Sequence, residues 1–270
     1  MSDIVLTAGV RSNLLQLQQT SDLITATQTK LATGKRVNSA LDNPINYFTA
    51  AGLSNRASDL SNLLDSMSTA FNTIQAANNG ITSITQLVQS AQALVSQAQQ
   101  TSDTTIRSSL ATQYGVIRTQ IDALASDSGF NGINLLGGND LTVTLNENNT
   151  SNVTITSVNF NSSGLNINGA NNNWNSSGDI ALASTDLTNA LTQLRSQAQA
   201  FGSNLSTVQI RQTFTKAMIN TLQTGSDSLT LADSNQEGAN LLALQTRQQL
   251  STTALSLASQ ASQAVLRLFQ

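Results

Sequence analysis

Apolar positions along this chain recur in two periods, helical toward both ends and alternating in the middle. Val10, Leu14, Leu17, Ser21, Ile24, Gln28 and Leu31 follow alternating four- and three-residue steps. This heptad seam, polar only at Ser21 and Gln28, predicts a helix with a stripe for a partner helix. Thr33-Gly34-Lys35 ends it, since glycine readily takes the left-handed conformation past a last turn. Pro44, the single proline, pushes Asn43 away from helical dihedrals and suits the opening of a new helix. A bend or linker is expected across residues 33–44.

Helical spacing resumes from Ile45 to Gln100, through Leu53, Leu60, Leu63, Met67, Phe71, Ile74, Ile81, Ile84, Val88, Ala91 and Val95. A further helix is expected from Thr104 to Ser128, carrying Ile106, Leu110, Tyr114, Ile117, Ile121 and Leu124. Thr101-Ser102-Asp103 between them is rich in capping types, and the two helices are expected to pair antiparallel. At Phe130-Asn131-Gly132-Ile133 the period changes, because Asn-Gly between apolar residues is the strongest short hairpin signal. Leu141, Val143 and Leu145, then Val153 and Ile155, then Leu165 and Ile167 alternate with polar residues and read as short strands. Asparagines crowd residues 146–175, which gives a loop-rich, exposed insert with only a small core. Helical spacing returns near Asp186, through Leu187, Leu191, Leu194, Phe201, Leu205, Val208, Phe214, Leu222 and Leu229.

From Gly238 to Gln270 two seams lie side by side. One is Leu241, Leu244, Gln248, Ser251, Leu255, Ala258, Ser262, Val265 and Phe269; the other is Ala243, Arg247, Leu250, Ala254, Leu257, Ala261, Ala264 and Leu268. Together they make an apolar surface wider than one partner helix covers. Helices with seams at both extremities invite pairing of the two ends, and the pair cannot cover its own apolar surface. Either a bundle within the chain covers it or other copies do, and head-to-tail contact that does not close gives a filament.

Composition narrows the chemistry. Charged residues make up 10% of the chain and the net charge is −3, so the basic stripe that nucleic-acid binding needs is missing. Neutral polar faces suit surfaces that end against other protein, because they avoid burying unpaired charge. The chain has no His and no Cys, which removes the usual base near neutral pH, the thiolate nucleophile and almost every zinc or haem ligand set. No run of about 18 apolar residues occurs, so no membrane span is expected. Met1 to Thr7 lacks a cationic start followed by an apolar core, so export without a cleaved signal peptide is expected. Asp233-Ser234-Asn235-Gln236-Glu237-Gly238 begins like a calcium loop, but its twelfth position is Leu244, where a bidentate carboxylate is required; capping is the better reading. Gly137-Gly138-Asn139 lacks the Lys-Ser/Thr pair of a phosphate loop and reads as a turn. No catalytic set, cofactor or metal site is expected.

The stretch Leu31-Ala32-Thr33-Gly34-Lys35-Arg36-Val37-Asn38-Ser39-Ala40-Leu41-Asp42-Asn43 resembles the one that follows the first core helix in bacterial flagellins. Ala200-Phe201-Gly202-Ser203-Asn204, Asp233 to Glu237 and the ending Ala261 to Phe269 are similar to the same family, without the proline often present in that ending. The likeness covers about the first 140 and last 85 residues, and the middle matches nothing. The implied fold is mainly α: a long antiparallel helical bundle with an N/C-terminal coiled coil, a β-hairpin and a small β-rich, Asn-rich insert. The implied layout is a core helix and linker (1–44), an outer helical layer (45–130 and 184–232), hairpin and variable outer domain (131–183) and a C-terminal core helix (233–270).

Val10, Leu14, Leu17, Ile24, Leu31, Leu241, Leu244, Leu250, Leu255, Leu257, Val265, Leu268 and Phe269 are then expected to form the assembly interface. Gly34, Lys35, Arg36, Asn38, Asp42 and Pro44 are expected to form the linker. The resemblance implies a self-assembling subunit of the extracellular flagellar filament, used for swimming motility and exported by the flagellar type III apparatus. Its implied partners are further copies of itself, an export chaperone, and the filament cap and junction proteins. Enteric members engage the vertebrate flagellin receptor through an Arg and a Glu whose places fall here on Ser90 and Gln113, so weak or no activation is implied, although Gln89 and Leu94 are kept. Leu41-Asp42-Asn43-Pro44 makes the chain look like a short alphaproteobacterial member. Two alternatives stand beside the filament subunit: the hook–filament junction protein, with similar terminal helices, and a secreted adhesive module headed by the Asn-rich centre. One Trp and two Tyr offer few stacking platforms for sugars.

Overall fold

A computed structural model of the chain describes residues 8–268, and only the backbone of residues 262 and 265–268. Five long helices dominate: α1 (Ala8–Thr33), α2 (Pro44–Gln100), α3 (Thr104–Asp127), α4 (Ser177–Thr230) and α5 (Ser234–Leu268). Between α3 and α4 lie strands β1 (Leu141–Thr144) and β2 (Asn152–Ile155) and a 3₁₀ turn at Asn171–Trp174.

Short polar side chains open four of the helices. Asn43 Oδ1 accepts the Asn46 amide of α2, with Pro44 at the first helical position. Asp103 accepts Thr105 and Ile106 in α3, and Asp233 accepts Asn235 and Gln236 in α5. Ser176 Oγ accepts the Asp179 amide at the start of α4 and donates its hydroxyl to the Asp179 carboxylate. Each such cap is worth about 1 kcal/mol. Buried threonines are reconciled with the helices in the same economical way: Thr20 and Thr73, each 2% exposed, return their hydroxyls to the carbonyls of Gln16 and Thr69.

The chain packs into two compact units, one of residues 56–220 and one of the described residues before 56 and after 220; α2 and α4 contribute to both. In the 56–220 unit, Met67, Ile74, Ile84 and Val88 of α2 share a core with Leu110, Tyr114 and Ile121 of α3 and Leu187, Leu194 and Phe201 of α4. Arg107 closes the three-residue turn between α2 and α3, its Nε donating to the carbonyls of Ala98 (3.2 Å) and Thr101 (2.8 Å).

The Asn-rich insert buries its apolar residues in this same core: Leu135, Leu136, Leu141, Ile155, Leu165, Ile167 and Trp174 all join it. Antiparallel pairing sets Leu141 opposite Ile155 and Val143 opposite Val153, with the Thr142–Thr154 pair on the exposed face. At the Asn-Gly signal, Phe130 and Ile133 exchange both backbone hydrogen bonds, and Asn131 and Gly132 take φ of 50° and 81°. The tight turn is there, but pairing ends after that single bridge.

Two expectations are corrected. Leu165 and Ile167 are not in a strand; consecutive turns bury both because Asn166, at φ 55°, reverses the backbone between them. The fourth helix begins at Ser177 rather than near Asp186, and its added turns bury Ile180 and Ala183.

Candidate assembly surface

In the unit formed by the two ends, α1 packs against α5. The Lys30 ammonium lies 3.5 Å from the Glu237 carboxylate, which joins the end of α1 to the beginning of α5, so the pair is antiparallel. On α1 the partly or fully buried stripe is Val10, Asn13, Leu17, Thr20, Ile24, Thr27 and Leu31. The apolar members spaced seven apart fall where the heptad puts them. The intervening positions are shifted by one: Asn13, Thr20 and Thr27 turn inward, while Leu14, Ser21 and Gln28 are exposed. A threonine suits such a seam because its methyl packs while its hydroxyl bonds within the helix, as at Thr20.

On α5 the two seams separate. Leu241, Leu244, Gln248, Ser251, Leu255 and Ala258 are half-buried, whereas Ala243, Arg247, Leu250, Ala254 and Leu257 face solvent. Leu242, Leu250 and Leu257 are 67%, 67% and 61% exposed, and on α1 Leu15 and Leu23 are 57% and 51% exposed. Burying the open part of each such leucine is worth roughly 1 kcal/mol. The side chains of Val265 and Leu268, and all of Phe269, lie outside the described residues.

The linker residues come together where α1 ends and α4 gives way to α5. Gly34, at φ +67°, accepts the Ala232 amide at 3.0 Å, and Lys35 pairs with Leu231. Arg36 donates its backbone N–H to the Thr230 carbonyl (2.8 Å) and its guanidinium to the Ser228 carbonyl (3.1 Å), covering the last turn of α4. Asn38 donates its side-chain amide to the Lys35 carbonyl. One Asp42 oxygen gathers the amides of Asn38 and Ser39, both at 2.9 Å, and these two bonds hold its carboxyl below the usual carboxylate range. Pro44 then starts α2.

Three residues escaped the sequence reading. Arg107, Arg118 and Asp122 lie on the same side of α3 as Tyr114, and the four grip the insert's backbone at Asn175, Ile167, Ser162 and Asn168. Only Tyr114 stands in the apolar spacing of this helix, and the charged three follow it at seven- and four-residue steps. Asp233 spends its carboxylate on the α5 cap, and among the described residues no group of three His, Cys, Asp or Glu is placed to hold a metal. No helix of the described residues is long and apolar enough to cross a membrane. Gln89, Ser90 and Gln113 are exposed and Leu94 is half-buried.

Two antiparallel terminal helices beside a helical core, with several leucines left open, define a predominantly helical structural class of protein. Residues 7–140 match the model of the bacterial flagellin N-terminal helical region, and residues 185–269 match that of the C-terminal helical region. Flagellins FljM and FljK of Caulobacter vibrioides are each 27% identical to the chain over 272 residues, spanning 100% of it and 99% of their own length. Flagellin A of Rhizobium meliloti is 39% identical over 92 residues, 34% of this chain and 23% of its own. A Bacillus cereus flagellin crystal structure is similar over 57% of the chain and 88% of its own, with a TM-score of 0.48 and 20% identity. The chain belongs to the bacterial flagellin family and is a structural subunit of the flagellar filament.

Proposed function

We propose that this chain polymerises through its paired terminal helices, with the exposed seam of α5 and the outer leucines of α1 meeting the same helices of neighbouring copies. The observation that carries this reading is the split of α5: one seam is engaged by α1 while Leu250 and Leu257 stay open. An apolar face of this kind on a subunit with few charges marks a contact to another protein. The linker gives the pair a fixed exit, through Gly34, Arg36 and the Asp42 turn.

Family membership supports export through the flagellar type III route and contact with an export chaperone, filament cap and junction proteins. Ser90 and Gln113, both exposed and uncharged, support weak or no activation of the vertebrate flagellin receptor. The proposed function includes no catalytic step.

Electron microscopy of the purified chain under salting-out conditions tests the proposal, beside a version lacking residues 235–270. Long uniform filaments from the intact chain alone are expected. An intact chain that stays monomeric even when seeded with filament fragments would overturn the proposal and favour the junction-protein role.

A further inference from the structure

Asparagine is chemically labile, and most so before glycine, whose nitrogen reaches the asparagine side chain with no Cβ in the way. The chain holds three such pairs: Asn79-Gly80, Asn131-Gly132 and Asn168-Gly169. The fold treats them differently. Asn79 is exposed, but Gly80 is buried well inside α2, where the helical ladder holds its N–H. Asn168 is tied at both ends: its side-chain amide donates to the Asp186 carboxylate at 3.0 Å, and its backbone carbonyl accepts the Tyr114 hydroxyl at 3.0 Å.

Asn131 and Gly132 are both exposed in the turn that follows α3. Among the described residues, neither the Asn131 side chain nor the Gly132 N–H has a hydrogen-bond partner. A Cβ placed on Gly132 would meet nothing within 4 Å, so there is room for a ring to close. Both residues sit at positive φ, and the two backbone bonds between Phe130 and Ile133 hold the turn shut. Bringing the Asn131 side chain to the Gly132 nitrogen therefore opens one bridge and no helix, a local opening at the low end of a protein's scale.

We infer that Asn131 is a site of spontaneous deamidation, set apart by the fold from the other two Asn-Gly pairs. The Gly132 nitrogen bonds to Asn131 Cγ as the Cγ–Nδ2 bond breaks, and the Gly132 proton leaves with that nitrogen as ammonia. Water then opens the succinimide, giving aspartate by attack at Cγ or isoaspartate by attack at the backbone carbonyl carbon. Either product sets a new carboxylate at the junction of α3 and the insert, and isoaspartate also lengthens the backbone by a methylene. Just beyond the turn, Asn134 donates its side-chain amide to the Ala125 and Ser126 carbonyls at 2.8 and 3.0 Å, and Leu135 and Leu136 are fully buried. These contacts keep the insert anchored, so the altered chain stays folded.

The full-length chain is incubated in mildly alkaline buffer, folded or in denaturant, and sampled over time. Site-resolved peptide mass spectrometry reads each asparagine, and an isoaspartyl methyltransferase counts isoaspartate. In denaturant the three pairs are expected to react at similar rates. In the folded chain Asn131 is expected to keep most of its denatured rate, while Asn79 and Asn168 react at least several-fold more slowly than it does. Protection of Asn131 in the folded chain equal to that of Asn168 would overturn the inference. Helicity that falls in step with deamidation at Asn131 would overturn it too, because the reaction would then belong to unfolded chains and not to the exposed turn.

Discussion

The carboxylate of Asp42 accepts the backbone N–H of Asn38 at 2.9 Å, so two polar residues four apart close the linker turn. Both hydrogen bonds from the Asn38 and Ser39 amides favour the ionised acid and hold its pKa below the ordinary value of 3.8. A folded-state pKa lower than the unfolded one contributes stability that is present above the unfolded value and lost as pH falls through the folded one. Asp42→Asn is therefore expected to lower the unfolding midpoint at neutral pH, and the gap from wild type is expected to close as pH drops below about 3.8. Thermal unfolding of both proteins across that range measures it. A gap that stays constant into acid would show that the carboxylate's charge plays no part.

Gly80 and Gly202 give opposite predictions for the same substitution. A Cβ at Gly80 would collide with Ser128 Oγ and meet Leu136 Cδ1 at 2.8 Å, whereas at Gly202 it meets nothing within 4 Å. Alanine gains about 1 kcal/mol over glycine within a helix, and overpacking a core costs about 1–3 kcal/mol. Gly202→Ala should stabilise by up to about 1 kcal/mol. Gly80→Ala should destabilise by about 1–2 kcal/mol net, because α2 must move away from the α3–insert junction. Denaturant unfolding of the two variants decides it.

The helices were legible because a period near 3.6 persists over many turns and because Asn43, Asp103 and Asp233 stand where caps belong. The separation of the α5 seams was legible too, since two full rows of apolar positions cannot both face one helix. What escaped depends on contacts distant in sequence. Thr20 and Thr27 enter the α1 seam as buried polar residues, Thr20 with its hydroxyl returned to the Gln16 carbonyl, and an apolar count misses both. Arg107, Arg118 and Asp122 look solvated until the insert's carbonyls and amides are brought to them. Leu165 and Ile167 mimic a strand because a left-handed Asn166 gives two turns the same alternation.

Tyr114 makes the alkaline counterpart of the Asp42 test. Its ring is fully buried 5.0 Å from the Trp174 ring, its hydroxyl donates to the Asn168 carbonyl at 3.0 Å, and burial pushes its pKa up to about 12. A raised folded-state pKa contributes stability present below the unfolded value of 10.0 and lost as pH rises toward about 12. Spectrophotometric titration should show a tyrosine ionising near pH 12 that is absent from Tyr114→Phe. At neutral pH that variant loses one hydrogen bond and should be destabilised by about 1 kcal/mol. A wild-type titration with every tyrosine ionising near 10 would refute the burial account.

The two seams of α5 make separable predictions. Leu250 and Leu257, 67% and 61% exposed, contribute little to the free chain, so Leu250→Ser with Leu257→Ser should shift its unfolding free energy by under about 0.5 kcal/mol per site. In the polymer the same leucines would be covered, and losing roughly 2 kcal/mol of apolar burial raises the critical concentration for assembly about 30-fold. Leu241 and Leu244 are half-buried on the seam engaged by α1. Their serine variants should therefore lower the helicity and unfolding midpoint of the free chain before any filament is asked for. Circular dichroism on the monomers and sedimentation of the polymers separate the two cases. If Leu250→Ser with Leu257→Ser polymerised at the wild-type critical concentration, the open seam would not be an assembly face, whatever else covers it.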